Sequence, residues 1–169
     1  MLTCFSTLAC PDFSWQEIYS MAKDFNFNGI EIRGLGNDIF SVKAPPFTDE
    51  QLPKTVAKLK ELKLTIPCLS SGLPVNDLAT KDKAVSEIKA YIELASKLGT
   101  PYIRVLGDAD PAPSKEIDDN VVVEIMHELI PYAEEKNVPL LIETNGVYAD
   151  TKRLKKLLDT IGNRKVAAL

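Results

Sequence analysis

Six short apolar runs recur along the chain, and a segment with helical periodicity separates each run from the next. The predicted strands cover residues 2–9, 29–33, 65–69, 102–106, 139–142 and 166–169. Strands that alternate with helices at a repeat of roughly 27 to 37 residues are typical of parallel βαβ units. The chain is therefore predicted to be an α/β protein with a parallel sheet, formed by five βα units and a sixth strand. Residues 1–169 are predicted to form a single domain.

Capping residues predict where the helices begin and end. Ser14 and Glu17 have the spacing of a capping box for the first helix, and Thr48 and Gln51 have it for the second. A turn at residues 28–29 is predicted to end the first helix, because glycine favours a left-handed backbone there. The predicted helices cover about residues 14–25, 48–64, 81–98, 116–136 and 150–162.

Two architectures fit this alternation of strands and helices. One is an open, doubly wound sheet, and the other is part of a (β/α)8 barrel. Open sheets that bind nucleotides usually carry a glycine-rich first turn. The first turn of this chain, residues 9–13, contains no glycine. The pattern favours a partial (β/α)8 TIM barrel and keeps the open sheet as the alternative.

The composition disfavours several classes of function. The formal net charge is −4, whereas a non-specific nucleic-acid binder usually presents a basic face. The three cysteines are widely spaced and form no Cys-x-x-Cys pair, so a zinc or disulfide framework is not expected. The N-terminal residues do not show the signal-peptide pattern, and no apolar run has the length of a membrane helix. A cytoplasmic location is expected.

Charged residues interrupt the predicted strands at positions where function is expected. In parallel sheets and barrels, functional residues gather at the carboxyl ends of the strands. Glu31 and Arg33 lie in the second strand, Arg104 lies in the fourth, and Glu143 directly follows the fifth. A charge inside a buried strand must be paired, hydrated or bound to a metal. Arg104 and Glu143 therefore either pair with each other, or Glu143 binds a metal or substrate.

Further polar residues lie at the same strand ends. Ser70 follows the third strand, Asp108 the fourth and Asn145 the fifth. Ser70 and Asn145 are candidate ligand contacts, and Asp108 and Asn145 could support a metal at Glu143. The single histidine, His127, lies in the predicted fourth helix and is expected to be an ordinary surface residue. A histidine-rich metal centre is therefore not expected in this chain.

Three segments carry a resemblance to a known family. They are residues 25–34 (Phe-Asn-Phe-Asn-Gly-Ile-Glu-Ile-Arg-Gly), 98–107 (Leu-Gly-Thr-Pro-Tyr-Ile-Arg-Val-Leu-Gly) and 138–146 (Val-Pro-Leu-Leu-Ile-Glu-Thr-Asn-Gly). In this order and at this spacing, they resemble the xylose isomerase-like TIM-barrel superfamily. That superfamily includes sugar phosphate isomerases and epimerases, inosose dehydratases and endonuclease IV-type enzymes.

The resemblance implies roles for individual residues. Glu143 would be a metal ligand and a proton-transfer carboxylate, while Glu31 and Arg104 would line the site of a small sugar or sugar phosphate. The complete barrel would hold a divalent metal such as Zn, Mn, Mg or Co. Many members carry histidine at the position of Asn145, and the family's further ligands lie beyond the sixth strand. The catalytic site is therefore expected to be incomplete in this chain, which would be inactive alone and need hold no metal.

The sequence is compatible with three functions. The leading hypothesis is a fragment of a metal-dependent sugar or sugar phosphate isomerase or epimerase. The alternative is a non-catalytic half-barrel that serves as a binding or assembly module. An abasic-site endonuclease is disfavoured, because it needs several zinc ligands and a basic surface, whereas this chain has one histidine and a net charge of −4. Neither nucleic acid nor membrane is an expected partner.

The sheet edges predict self-association. A partial barrel leaves unpaired N–H and C=O groups on its first and sixth strands, and such edges pair readily with other chains. We expect sedimentation velocity to show species larger than the 18.7 kDa chain as the concentration rises. A monomer that persists at high concentration would contradict this prediction.

Overall fold

The computed structural model describes residues 1–111 and 117–169. The strands are β1 (Cys4–Ser6), β2 (Gly29–Glu31), β3 (Cys68–Pro74), β4 (Tyr102–Leu106), β5 (Leu140–Ile142) and β6 (Val166–Ala168). The helices are α1 (Trp15–Asp24), α2 (Leu52–Leu62), α3 (Lys81–Leu98), α4 (Asp119–Glu135) and α5 (Thr151–Ile161). The predicted α/β pattern of five βα units and a sixth strand is confirmed.

The strands lie side by side in chain order, and every pairing between them is parallel. β1 pairs with β2, and β3 to β6 pair in sequence. Two isolated bridges, Gly29 with Thr65 and Ile32 with Leu69, join the two groups. At the first bridge, a Cβ on residue 29 would lie 3.0 Å from the Thr65 carbonyl oxygen. Glycine there allows the two backbones to approach this closely.

The two faces of the sheet differ in chemistry. Ile30, Leu69, Ile103 and Ile142 are fully buried and belong to the hydrophobic core that the helices share. Because successive strand residues point to opposite faces, their neighbours along each strand point to the inner, concave face. Those neighbours include most of the charged and polar residues that the sequence singled out. The core therefore lies between sheet and helices, and the inner face is available for a site.

The predicted start of the first helix and both predicted ends of the fifth helix are confirmed. The Ser14 hydroxyl accepts a hydrogen bond from the Glu17 N–H at 3.3 Å, and the Glu17 carboxylate accepts one from the Ser14 N–H at 2.8 Å. This reciprocal pair is the predicted capping box. Asp150 caps α5, and Gly162 ends it in the left-handed conformation. The predicted start of the fourth helix at residue 116 lies outside the described residues.

The predicted capping box of the second helix is wrong. Helix α2 begins later, after Gln51, and no side chain caps it. The Thr48 hydroxyl instead donates to the Pro45 carbonyl within a preceding 3₁₀ turn. Pro53 lies in the first turn of α2, where a missing N–H costs nothing because that group would have no helical partner. Because Pro53 has no N–H, the first turn of α2 has one N–H fewer that a capping group must accept from.

Other predicted boundaries were also wrong. The first strand ends at Ser6, which caps a 3₁₀ turn over Thr7–Ala9. The third strand begins at Cys68, three residues later than predicted, because Pro67 has no N–H to give the ladder. The first helix ends with Asn26 in the left-handed conformation, and residue 29 already belongs to β2.

The outer edges of β1 and β6 have no strand partner within residues 1–111 and 117–169. Self-association through these edges stays a prediction. Across the same residues, no helix combines the length and the apolar character that crossing a membrane requires.

Candidate functional site

Polar side chains from neighbouring strands meet on the inner face at the carboxyl edge of the sheet. In the strand register, Ser6 pairs with Glu31, and Ser70 pairs with Arg104. Glu143 follows β5 directly, and its N–H donates to the Val105 carbonyl at 3.1 Å. The sequence-predicted residues Glu31, Ser70, Arg104 and Glu143 are therefore brought together.

Glu31 and Ser70 form a contact between adjacent strands. The Ser70 hydroxyl donates to Glu31 Oε1 at 2.5 Å. Ser70 is buried, whereas Glu31 is half-buried. Within residues 1–111 and 117–169 this is the one hydrogen bond to the Glu31 carboxylate, so its other lone pairs can accept hydrogen bonds from a ligand. This pair can accept hydrogen bonds from hydroxyl groups.

Arg104 is the buried centre of the cluster. Its side chain is 3% exposed, Nη1 donates to the Ser71 carbonyl at 3.0 Å, and Nη2 donates to Glu143 Oε2 in an ion pair. Desolvation lowers the pKa of Arg104, and the hydrogen bond to Glu143 opposes this shift. The predicted Arg–carboxylate pair therefore exists. The Glu143 side chain is 30% exposed, so part of its carboxylate remains accessible.

Hydrogen bonds hold the loop that carries Glu143 against the loop after β4. Asp108 is buried, and its Oδ2 accepts a hydrogen bond from the Val147 N–H at 3.1 Å. The Asn145 amide donates to the Asp108 carbonyl at 3.0 Å. Gly146 has a φ of +56°, and a Cβ there would lie 2.3 Å from Asp108 Oδ2. Asn145, which was predicted to contact a ligand, thus helps to hold the two loops together. A role for Asn145 in substrate binding stays a prediction.

A cavity of about 340 Å³ opens beside the cluster. This is the lower part of the range for small-molecule sites. Its described lining includes Thr7, Arg33, Ser70 and Arg104. The sequence did not single out Thr7, whose hydroxyl donates to the Gly34 carbonyl at 2.7 Å, because residues 2–9 read as a continuous strand. Arg33, which the sequence placed with Glu31 among the charged residues of the second strand, lies two residues from Glu31, and a period of two puts both on the same face.

Among the described residues, no group of three or more His, Cys, Asp or Glu could hold a metal ion. Glu143 offers one carboxylate, which is already paired with Arg104. His127 is exposed on α4, and its Nε2 lies 3.1 Å from the Ile161 carbonyl oxygen. Burial, aided by the charge of Glu31, raises the pKa of Cys68 to about 12, so this thiol stays protonated. The described residues therefore do not form a metal centre by themselves.

Comparisons with known proteins agree on one architecture. A family model described as "Xylose isomerase-like TIM barrel" matches residues 20–169. The probable 3-DHS dehydratase AsbF of Bacillus anthracis superposes with a TM-score of 0.79 at 20% identity, covering 98% of this chain and 61% of that one. IOLI protein, solved with a bound zinc atom, gives 0.78 at 16% identity, with 99% and 62% covered.

A third solved structure, the 3-keto-D-glucoside 4-epimerase YcjR of E. coli, gives a TM-score of 0.70 at 15% identity, with 98% and 66% covered. The chain thus spans about three fifths of the length of these structures. A comparison with proteins of curated function found no match. At these identities the structural likeness establishes the fold, which is that of a partial TIM barrel.

Proposed function

The chain belongs to the xylose isomerase-like TIM-barrel family, and we propose that it supplies part of the active site of a sugar or sugar phosphate isomerase or epimerase. The observation that carries the proposal is the Arg104–Glu143 ion pair at the carboxyl edge of the sheet, in which the Glu143 side chain is 30% exposed. Glu31 and Ser70 lie beside it and offer hydrogen bonds to hydroxyl groups.

The proposed chemistry is proton transfer beside a carbonyl group. Glu143 would accept the proton from the carbon next to the carbonyl, and Arg104 would fix the direction of that carboxylate. In an isomerase the proton returns to the former carbonyl carbon, while the adjacent hydroxyl loses its proton and the former carbonyl oxygen gains one. In an epimerase the same carbon is protonated on its other face by water, and Glu143 releases its proton to solvent. Glu31 and Ser70 would orient the substrate hydroxyls during this transfer.

A divalent metal is part of the wider proposal. In a complete barrel, Zn, Mn, Mg or Co would polarise the carbonyl oxygen. IOLI protein, which shares the fold, was solved with zinc. The described residues provide Glu143 as one ligand and no cluster of three. The proposed proton transfer and substrate orientation therefore use the side chains of this chain alone.

A non-catalytic binding or assembly module is the second candidate. The observation that favours it is the lack of a metal-ligand cluster within residues 1–111 and 117–169. Such a module would keep the inner-face cavity for ligand binding and use the outer edges of β1 and β6 for assembly. Binding without proton exchange is the result that separates it from the enzyme.

Solvent exchange tests the enzyme proposal. The protein purified from its own cells is incubated in D₂O with divalent metal and a panel of ketoses and ketose phosphates. We expect the proton NMR signal of the carbon next to the carbonyl to disappear with at least one substrate. Glu143→Gln should abolish the exchange, and Glu135→Gln, an exposed residue of α4, should not. Binding of a sugar without any exchange would favour the module.

A further inference from the structure

The charged side chains in the described lining of the cavity are cationic. Among the described residues that line it, there are two guanidinium groups, Arg33 and Arg104, and no carboxylate. Arg104 forms an ion pair with Glu143, so within the described residues the cation left without a counter-charge is Arg33. An anion in the cavity would supply that counter-charge.

The two arginines differ in what they can still bind. Arg104 is buried, and its guanidinium already donates to Ser71 and Glu143. Arg33 is exposed. Throughout residues 1–111 and 117–169, its guanidinium has no hydrogen-bond acceptor and no ion-pair partner. Arg33 thus retains all five of its N–H donors for a ligand.

The backbone holds Arg33 at the mouth of the cavity. Its N–H donates to the Thr7 hydroxyl at 2.8 Å, and the same hydroxyl donates to the Gly34 carbonyl at 2.7 Å. The Gly34 N–H donates to the buried Ser41 hydroxyl at 3.0 Å. Arg33 therefore extends from a fixed point of the loop, and its flexible side chain can adjust to the ligand.

The rest of the described lining combines the hydroxyl groups of Thr7 and Ser70 with apolar side chains. Leu8 and Ile39 line the cavity and are 55% and 78% exposed, and the buried Leu106 also lines it. Exposed apolar side chains beside a cavity are suited to contact with the carbon atoms of a ligand. The lining thus offers a cation, hydroxyl groups and apolar contact. A small carbohydrate with one anionic group matches this combination.

We propose that Arg33 is a specificity-determining residue that selects substrates carrying a phosphate or carboxylate group. This inference rests on the proposed function, since it defines the substrate class of the same site. Arginine suits the role because its planar fork binds either group through two parallel hydrogen bonds. Arg33 would hold the anionic end of the substrate, and the reacting carbons would lie toward Glu143.

Isothermal titration with matched ligand pairs tests the proposal on the purified protein. The pairs are D-ribulose 5-phosphate with D-ribulose, and D-glucuronate with D-glucose. We expect the anionic member of at least one pair to bind more tightly by about 10- to 100-fold. The pair that shows the preference identifies phosphate or carboxylate as the natural group.

Variants assign the preference to Arg33. Arg33→Ala should remove the preference by lowering affinity for the anionic member much more than affinity for the neutral sugar, and Arg33→Lys should restore part of the preference. Arg164→Ala is the matched control, because Arg164 is an exposed arginine that precedes β6 at the opposite edge of the sheet. A similar loss in Arg164→Ala would show a general charge effect and overturn the proposal.

Two further results would also overturn it. One is equal affinity for the neutral and anionic members of both pairs. The other is an equal loss of both affinities in Arg33→Ala. The exchange experiment keeps the two proposals separate, because preferential anion binding without proton exchange contradicts the isomerase and leaves the assignment of Arg33 intact. Proton exchange on neutral ketoses without a preference for anions would support the isomerase and contradict the assignment of Arg33.

Discussion

Replacing Gly146 with alanine is expected to destabilise the protein by about 3 to 5 kcal/mol. Gly146 has a φ of +56°, a backbone conformation that costs an L-residue energy. The added Cβ would also lie 2.3 Å from Asp108 Oδ2 and 2.6 Å from the Asp110 carbonyl oxygen. Asp108 Oδ2 cannot move easily, because Asp108 is buried and this oxygen accepts the Val147 N–H, and the Asp110 oxygen is a backbone atom.

Gly162→Ala is the matched control for this prediction. Gly162 has nearly the same backbone conformation, with a φ of +61°, but the nearest atom to its added Cβ would be 3.7 Å away. We expect this variant to lose only about 1 kcal/mol, which is the backbone cost alone. Urea unfolding followed by circular dichroism measures both losses. Equal losses would show that the close packing on Asp108 does not contribute.

The strand alternation explains why the charged part of the site was predictable. Glu31 and Arg104 interrupt apolar runs, and Glu143 ends one. In a parallel sheet whose apolar residues face the helices, such positions must face the inner side. Strand period and carboxyl-end position are local properties, so the sequence was sufficient to bring these residues together with Ser70.

The loop contacts could not be predicted in the same way. Thr7, Asp108 and Gly146 act through hydrogen bonds and close approaches between loops that are far apart in sequence. No periodic pattern marks such contacts. The two predicted capping boxes also show that local spacing is not sufficient. Ser14 and Thr48 both lie three residues before Glu or Gln, but of the two only Ser14 caps an α-helix. The Thr48 hydroxyl donates to the Pro45 carbonyl instead, a contact that the spacing of the box does not reveal.

Removal of Glu143 is expected to destabilise the protein more than removal of its partner. Glu143→Leu leaves the buried Arg104 cation without a counter-charge, which should cost about 2 to 4 kcal/mol. Arg104→Met leaves Glu143, whose side chain is 30% exposed and can be hydrated, so about 1 to 2 kcal/mol is expected. The Arg104→Met/Glu143→Leu double variant removes both charges and should lie within about 1 kcal/mol of the wild type. Urea unfolding of the four proteins completes the cycle.

The same cycle separates a structural role of the ion pair from a catalytic one. Glu143→Gln keeps the shape and a hydrogen-bond acceptor for Arg104, so it should lose the proposed proton exchange by at least about 100-fold with a smaller loss of stability. If the pair exists for chemistry, the double variant should be folded and inactive. If the pair exists for the fold, the double variant should be strongly destabilised, and Glu143→Gln should retain exchange. The second pattern would contradict the assignment of Glu143 as the proton acceptor.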